Sequence, residues 1–353
     1  VLLPRNVHRC LLHACVLGQL QPLLYALPFE ASTGLWRPPT AAHLQRVLQA
    51  AQASGPVAAV VLVSPTYQGL QADLEALVAV VHGDGLPLLL DGAHGHGQGI
   101  GAGADLEVLS LQKNAGGLAQ SAALLAQGPR VDPEALGRAL LWLQTSSPSA
   151  LLLASCEAAL AELCSAGGQR RRAAATGVAE RLRRRCRERN LPLIATDDPL
   201  RLVLHTAAMG INGLEADDWL LQRGVIAELP EPASVTFCLG LRPPRGVCWR
   251  LPRALLQLER ALGGAALPPQ EPPPLPLVAS LSQPIGSAWR APYRTVPLAE
   301  AAGCIAAEPL CPYPPGIPLL VPGERIDAER ATWLQHQSRL WPGQIADTVR
   351  VVA

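Results

Sequence analysis

Three short apolar runs, separated by other elements, limit the fold of this chain more than any other feature. They span residues 56–63, 86–90 and 106–111. Apolar runs of this length are typical of strands that are buried on both faces of a parallel sheet. Residues 71–82 lie between the first two runs and have helical periodicity. The order strand, helix, strand, loop, strand therefore predicts an α/β fold with a mostly parallel sheet.

Two polar side chains follow these runs where a parallel sheet usually binds its ligands. The second run ends in Asp91, and we expect the third strand to end at Lys113. In open α/β sheets, ligands lie beyond the carboxyl ends of the strands. We therefore expect Asp91 and Lys113 to face the same crevice.

Lys113 is also the only lysine among 29 basic residues, the others being arginines. Arginine can replace lysine as a surface charge, but its guanidinium stays protonated and cannot attack a carbonyl. A single retained lysine is therefore a candidate for an imine with an aldehyde. The alternative is that one lysine remains by chance at a neutral surface position.

The rest of the chain divides into further units by its pattern of helices, strands and prolines. Helical patterns cover 133–144 and 149–166, and a small α/β unit follows with strand and helix patterns between 201 and 241. A proline-rich stretch at 267–274 is typical of a stiff, extended linker. The predicted domains are residues 1–165, 166–265, a linker at 266–277, and 278–353.

Composition excludes several classes of partner. The chain is 49% hydrophobic and 16% charged with a net charge of +1, which is typical of a globular protein and gives no general attraction to nucleic acid. Two arginine triplets, at 170–172 and 183–185, fit a solvated helix face better than a nucleic-acid or membrane helix. The nine cysteines include no Cys-x-x-Cys pair, which favours free thiols in a reducing, cytoplasmic compartment. No apolar stretch reaches the length of a membrane span.

Several short motifs, taken in order along the chain, identify a family. They are Arg5-Asn6-Val7-His8-Arg9-Cys10, Val63-Ser64-Pro65-Thr66-Tyr67-Gln68-Gly69, Asp91-Gly92-Ala93-His94-Gly95, Ser110-Leu111-Gln112-Lys113, Thr145-Ser146-Ser147-Pro148-Ser149, Pro312-Tyr313-Pro314-Pro315-Gly316-Ile317-Pro318 and Pro322-Gly323-Glu324. With these motifs, the chain resembles the pyridoxal-phosphate-dependent ornithine/lysine/arginine decarboxylases of the aspartate-aminotransferase fold type. The resemblance implies a fold type I major domain, a smaller α/β domain and a C-terminal α+β domain.

The resemblance also implies roles for four residues at the cofactor. Lys113 corresponds to the lysine that holds pyridoxal phosphate as an imine, and Asp91 to the partner of the ring nitrogen. His8 would cover one face of the ring, and His94 would lie beside the cofactor. The expected reaction converts ornithine, lysine or arginine to the corresponding amine and carbon dioxide, in a homodimer or higher homo-oligomer.

Three further residues receive weaker assignments from the same motifs. Ser110 and Thr145 would lie near the phosphate or the substrate, and the alternative is that they are ordinary loop or cap hydroxyls. Glu324 would contact the substrate from the C-terminal domain, and the alternative is a solvated turn residue. His94 and His96 could instead bind a metal ion, or His8 and His94 could be ordinary hydrogen-bonded histidines.

The chain also departs from the family pattern. Gln112 stands where the family has histidine, Gly92 replaces an acidic residue, and Cys10 replaces a serine. The family's phosphate-binding turn lies upstream of the first motif, so we expect it to be absent here. Two alternatives remain: another enzyme of the same fold, such as an aminotransferase or a β-eliminating lyase, or a non-catalytic protein that uses the fold for dimerisation or regulation.

Overall fold

The computed structural model describes residues 1–312 and 317–353. The strands are β1 (Leu2–Pro4), β2 (Leu23–Tyr25), β3 (Phe29–Glu30), β4 (Leu35–Trp36), β5 (Val60–Val63), β6 (Leu88–Asp91), β7 (Leu106–Ser110), β8 (Ala122–Ala126), β9 (Leu193–Ile194), β10 (Arg201–Leu204), β11 (Leu229–Glu231), β12 (Ser234–Cys238), β13 (Val278–Ala279), β14 (Tyr293–Pro297) and β15 (Thr348–Val352).

The α-helices alternate with these strands in the first half of the chain. They are α1 (Arg9–Leu17), α2 (Ala41–Ser54), α3 (Leu74–Gly83), α4 (Gln98–Gly101), α5 (Leu111–Asn114), α6 (Pro133–Leu143), α7 (Ala150–Cys164), α8 (Ala166–Arg187), α9 (Gly213–Leu221), α10 (Val247–Leu262), α11 (Ile285–Arg290) and α12 (Ala328–Leu340). Two 3₁₀ turns lie at Thr206–Met209 and Leu298–Glu300.

A seven-stranded sheet organises the first half of the chain, with the order β13-β2-β1-β5-β6-β7-β8. The five strands from β2 to β7 are parallel, and the edge strands β13 and β8 are antiparallel to their neighbours. The three predicted apolar runs are β5, β6 and β7, adjacent and parallel. The predicted α/β fold with a mostly parallel sheet is confirmed.

Helices cover both faces of this sheet because its strand residues point alternately to each side. On one face, apolar side chains of α2 and α3 pack against Val60, Leu62, Leu88 and Leu90. The α2 residues that do so include Leu44, Val47, Leu48 and Ala51, the spacing of one helix face. Each large side chain buried in this way contributes about 1.5–3 kcal/mol.

The opposite face packs partly against the C-terminal part of the chain. Leu3 and Val61 contact a cluster that contains Ile285 and Val321. In addition, β13 pairs with β2, so Val278 and Ala279 extend the large sheet although the sequence places them at the start of the last predicted domain. The predicted domain limits remain predictions.

The second half of the chain has two smaller sheets. An antiparallel sheet of order β11-β12-β10-β9 packs against α8, α9 and α10 around a core that includes Leu182, Val235 and Leu255. Near the C-terminus, β14 and β15 form a pair, and α12 packs beside it. Residues 313–316 of the Pro312–Pro318 motif lie outside the described residues.

No single helix in the described ranges is long and apolar enough to cross a membrane. Helices α7 and α8 are long and apolar enough only when taken together, and they are bent by 73° at the break between them.

Candidate active site

A cavity of about 440 Å³ opens at the carboxyl ends of β5, β6 and β7. Its lining includes Asp91, His94, Lys113, His8 and Tyr67, all from the motifs that the sequence singled out. The volume lies within the range of roughly 300–1,000 Å³ that small-molecule sites usually have. The predicted convergence of Asp91 and Lys113 on one crevice is therefore present.

The local structure at Lys113 differs from the predicted strand end. Strand β7 stops at Ser110, and Lys113 lies on the one-turn helix α5 with its side chain exposed. The Asn114 side chain donates to the carbonyl oxygens of Ala93 and Gly95 at 3.0 and 3.1 Å. These two bonds fix α5 to the loop that follows β6, and so they place Lys113 beside that loop.

Asp91 is the last residue of β6 and is partly buried at the floor of the cavity. Its Oδ1 accepts a hydrogen bond from the amide of Ala93 at 3.2 Å. A carboxylate has more acceptor positions than this one bond uses. Asp91 can therefore accept a further donor from a ligand in the cavity.

His94 lies between two cationic side chains. Its Nδ1 is 3.3 Å from Nη2 of Arg201, and its Nε2 is 3.2 Å from Nζ of Lys113. Arginine can only donate, so Nδ1 must accept and the proton of the neutral ring is on Nε2. Burial, and then the charges of Lys113 and Arg201, lower the pKa of His94 well below its ordinary value of 6.5.

His94 is also a hydrogen-bonding neighbour of the Lys113 amine, since Nε2 and Nζ are 3.2 Å apart. A primary amine in its unprotonated form attacks a carbonyl, and Lys113 is the one lysine of the sequence. The structure therefore places the candidate nucleophile beside a neutral imidazole.

Arg201 holds this arrangement in place and was missed by the sequence analysis. It is 5% exposed, its Nε donates to the carbonyl oxygen of Tyr67 at 3.4 Å, and its Nη1 lies 3.5 Å from Asp198. Gly69 makes room for it, since a Cβ there would lie 2.8 Å from Cγ of Arg201. The available signal was a charged residue at the start of an otherwise apolar strand, outside every motif.

Tyr67 belongs to a motif, but no role was predicted for it from the sequence. Its ring centroid is 4.3 Å from that of His94, and Nζ of Lys113 lies 5.8 Å from the Tyr67 ring centroid. Its hydroxyl donates to Glu228 at 2.8 Å. Tyr67 therefore forms a wall of the cavity next to the amine.

His8 is the N-cap residue of α1 and stands at the cavity mouth. Its Nδ1 accepts from the amide of Cys10 at 3.3 Å, and its ring remains exposed to solvent. Partial desolvation lowers the pKa of His8, and the Asp91 carboxylate opposes that shift. A neutral imidazole at this position is compatible with the predicted contact to a cofactor ring, which stays a prediction.

Ser110 and Thr145 are less closely associated with the cavity, whose lining includes neither of them. Ser110 shares one face of β7 with Val108, which does line the cavity. Thr145 is exposed, and its hydroxyl accepts from the amide of Ser147 at 3.2 Å. The structure gives Thr145 a turn-forming role, and a contact of either hydroxyl with the phosphate stays a prediction.

Glu324 is neither a solvated turn residue nor part of the cavity lining. It is 2% exposed, and its carboxylate accepts from Arg5, from Arg330 at 2.9 Å and from the amide of Val321 at 2.8 Å. Burial alone would raise the pKa of Glu324, but Arg5 and Arg330 lower it. Its carboxylate therefore accepts four hydrogen bonds within the protein, and the predicted contact with a substrate stays a prediction.

The cavity suits a pyridine aldehyde such as pyridoxal phosphate. It combines an amine, a carboxylate with spare acceptor capacity, and imidazoles beside both. Asn6, which is 8% exposed and lines the cavity, has an Oδ1 atom without a hydrogen-bond partner among the described residues. A buried polar atom of this kind usually has a partner, and a ligand can supply it. Within the described residues, no group of three or more His, Cys, Asp and Glu side chains could hold a metal ion.

Comparison with known proteins places these features in a family. Residues 1–202 match the model of the Orn/Lys/Arg decarboxylase major domain, and residues 279–341 match that of the C-terminal domain. An arginine decarboxylase of Bacillus subtilis (strain 168) is 27% identical over 367 residues, covering 95% of this chain and 72% of that protein. An arginine decarboxylase of Halalkalibacterium halodurans is 27% identical, covering 96% of the chain and 73% of that protein.

Solved structures show the same fold at lower identity. The constitutive lysine decarboxylase of E. coli superposes with a TM-score of 0.77 at 18% identity, over 100% of this chain and 66% of that one. Lysine decarboxylase A from Pseudomonas aeruginosa gives a TM-score of 0.80 at 18% identity, with the same coverage. The chain thus spans about two thirds of the length of these structures. Because the major-domain model matches more than half of its residues, the chain belongs to the Orn/Lys/Arg decarboxylase family.

Proposed function

We propose that this chain decarboxylates a basic amino acid with pyridoxal phosphate held covalently by Lys113. The observation that carries the proposal is the contact between Nζ of Lys113 and Nε2 of His94. It places the single lysine amine of the chain next to a neutral imidazole, in a cavity that also contains Asp91. Family membership and the names of the relatives, arginine and lysine decarboxylases, support the same reaction.

Different residues of the cavity would bind and orient the cofactor. Lys113 would carry the cofactor, and Asp91 would hold a proton at the ring nitrogen. Pyridoxal phosphate, when bound, supplies an electron sink for the electron pair of the bond between Cα and the carboxylate. Asn6 and Gln112, both in the lining, could donate from their side-chain amides to cofactor oxygens.

The apolar part of the lining favours loss of carbon dioxide. Val63, Leu89 and Val108, from β5, β6 and β7, give part of the cavity an apolar lining. A carboxylate is poorly solvated in such surroundings, whereas neutral carbon dioxide is not. The adjacent Nε2 of His94 and Nζ of Lys113 form a short path along which a proton can move to the reacting carbon.

Reductive trapping tests the proposal directly. The chain is incubated with pyridoxal phosphate, reduced with borohydride, digested and mapped by mass spectrometry. We expect the pyridoxyl group on Lys113 and no side-chain label in the Lys113→Arg variant, which retains the positive charge. Label confined to the α-amino group of Val1, in a chain that releases carbon dioxide from a basic amino acid, would refute the role of Lys113.

Three finer points remain proposals of the same kind. Which of ornithine, lysine and arginine is used can be determined by measuring carbon dioxide release from each. The predicted homodimer or higher homo-oligomer can be measured by light scattering with and without cofactor. The cytoplasmic location stays a prediction.

A further inference from the structure

A second, smaller cavity adjoins the cavity that contains Lys113. Its volume is about 70 Å³, and Trp36 and Ile317 line both cavities. Aromatic rings are scarce in this chain, which has seven tryptophans and two phenylalanines. Four of these rings nevertheless line this small cavity: Phe29, Trp36, Trp333 and Trp341. We refer to it below as the aromatic cavity.

One carboxylate of the aromatic cavity connects directly to the Lys113 cavity. Glu231, the last residue of β11, accepts a hydrogen bond from Nε2 of Gln68 at 2.8 Å through its Oε2. Gln68 in turn lines the Lys113 cavity, next to Tyr67. A single side chain therefore separates the Glu231 carboxylate from the space where a substrate of Lys113 would lie.

We propose that Glu231 and the surrounding tryptophans bind the guanidinium end of a basic substrate whose α-amino end lies at Lys113. This inference rests on the proposed function and adds a specificity-determining residue to it. The aromatic cavity has room for about two water molecules at roughly 30 Å³ each, which suits a small planar group and not a whole amino acid. Guanidinium is weakly hydrated, stacks on aromatic faces and pairs with carboxylates, whereas ammonium is compact and strongly hydrated.

The ionisation of Glu231 gives the proposed site a measurable signature. Burial raises the pKa of Glu231 to about 7, and the hydrogen bond from Gln68 opposes the shift. A bound cation selects the ionised carboxylate, so binding below about pH 7 must release a proton. Affinity for a guanidinium should therefore rise as pH increases through 7 and level off above it.

The other charged groups near Glu231 already have partners. Glu271, from the linker, contacts His336 of α12 at 2.9 Å. Glu30 contacts Arg37 at 2.6 Å, beside the hairpin of β3 and β4. Glu228 accepts from Tyr67. The side-chain donors to Glu231 are the neutral groups of Gln68 and Ser234, so its charge is the one most available to a ligand.

Calorimetric titration of the full chain with agmatine tests the proposal without any catalytic step. Agmatine has a guanidinium group but no carboxylate to lose. Wild type should bind it more tightly than cadaverine, which ends in ammonium groups. We expect Glu231→Gln to weaken agmatine binding roughly 10-fold or more, because a charge-assisted bond is lost, and to remove the pH dependence. The control Glu215→Gln, an exposed residue of α9, should behave as wild type.

The outcomes separate this inference from the proposed function. Equal agmatine affinity in wild type and Glu231→Gln, or no saturable binding by wild type, overturns the inference even if Lys113 is trapped normally. Loss of binding in Glu231→Gln with no trapping at Lys113 supports the site and counts against the proposed function. If Glu231→Gln does not fold by circular dichroism, Glu231→Asp decides: retained pH dependence supports the role of the carboxylate, and a flat profile overturns it.

Discussion

The Lys113 cavity and the buried cluster of Arg5, Glu324 and Arg330 are both built from charged groups, but they use those groups differently. In the cluster, each partner is at most 5% exposed and Glu324 accepts from two arginines and a backbone amide. In the cavity, Lys113 is exposed and Asp91 uses one acceptor position. The acceptor positions of Glu324 are occupied within the cluster, whereas Asp91 has acceptor positions left for a ligand.

The comparison shows why a motif does not by itself identify a ligand contact. Arg5 and His8 come from one motif, yet Arg5 is buried in the cluster and His8 stands at the cavity mouth. Glu324 also belongs to a motif, and its acceptor positions are occupied by groups of the protein. Unused hydrogen-bonding capacity facing a cavity separates the residues that can act on a ligand from those that hold the fold together.

The largest difference expected is in stability. Glu324→Gln leaves two arginines without their shared carboxylate in a buried site, and should lower the free energy of unfolding by about 3–5 kcal/mol. Lys113→Arg, at an exposed position, should change it by less than about 0.5 kcal/mol. Urea unfolding of both variants measures this contrast. Similar losses in the two variants would contradict the division between cluster and cavity.

The second prediction concerns activity at the cavity floor. Asp91→Asn should leave pyridoxal phosphate bound but lower decarboxylation by at least about 100-fold, or roughly 2.7 kcal/mol of activation free energy. A neutral amide cannot stabilise a positive charge at the ring nitrogen. Carbon dioxide release and the trapped label on Lys113 should be measured together. Near-normal turnover would mean that Asp91 does not face that nitrogen.

The third prediction uses the pKa of His94, which lies well below 6.5 in the folded chain. The unfolded chain binds the proton more readily, so stability is lost as pH falls through the ordinary histidine range. Between about pH 6.5 and pH 5, this group lowers the free energy of unfolding by up to about 1.4 kcal/mol for each pH unit of acidification. In His94→Gln this contribution should be absent, so the free energy of unfolding should fall less steeply with pH. His96, whose pKa burial lowers to about 4, should contribute separately, so His96→Gln is the matched control. Unfolding curves identical to wild type at every pH would show that His94 is not buried between its two cations.

The smallest effects are expected for the two hydroxyls. Ser110→Ala and Thr145→Ala should each change the free energy of unfolding by about 0.5 kcal/mol or less. If Ser110 contacts the phosphate, only Ser110→Ala should also weaken pyridoxal phosphate binding in an absorbance titration. If Thr145→Ala weakens pyridoxal phosphate binding more than Ser110→Ala does, the exposed turn at 145–148 contacts the cofactor, and the cavity extends to that turn.

Much of the sheet could be predicted from sequence because its signals are local. Apolar runs of strand length define β5, β6 and β7, and the residue after such a run lies at the carboxyl edge. These two signals were sufficient to predict that Asp91 and Lys113 face the same cavity. The one-turn helix under Lys113 was missed because four residues carry no detectable periodicity.

The contacts that finish the site could not be predicted because they join distant parts of the sequence. Arg201 reaches His94 from the small antiparallel sheet, and no local pattern indicates which histidine it contacts. Glu324 is paired with Arg5 from the opposite end of the chain. The aromatic cavity combines Trp36, Glu231 and Trp333, which come from three separate units of the fold.

The pairing of β13 with β2 affects the order in which this protein can be assembled during synthesis. Strand β2 is made early, but its outer edge gains a partner only when Val278 and Ala279 have left the ribosome. Until then the growing chain carries an open strand edge, which can pair with another chain. A long loop must also close before the pairing contributes any stability. Completion of the large sheet is therefore a late step that coincides with arrival of the C-terminal unit.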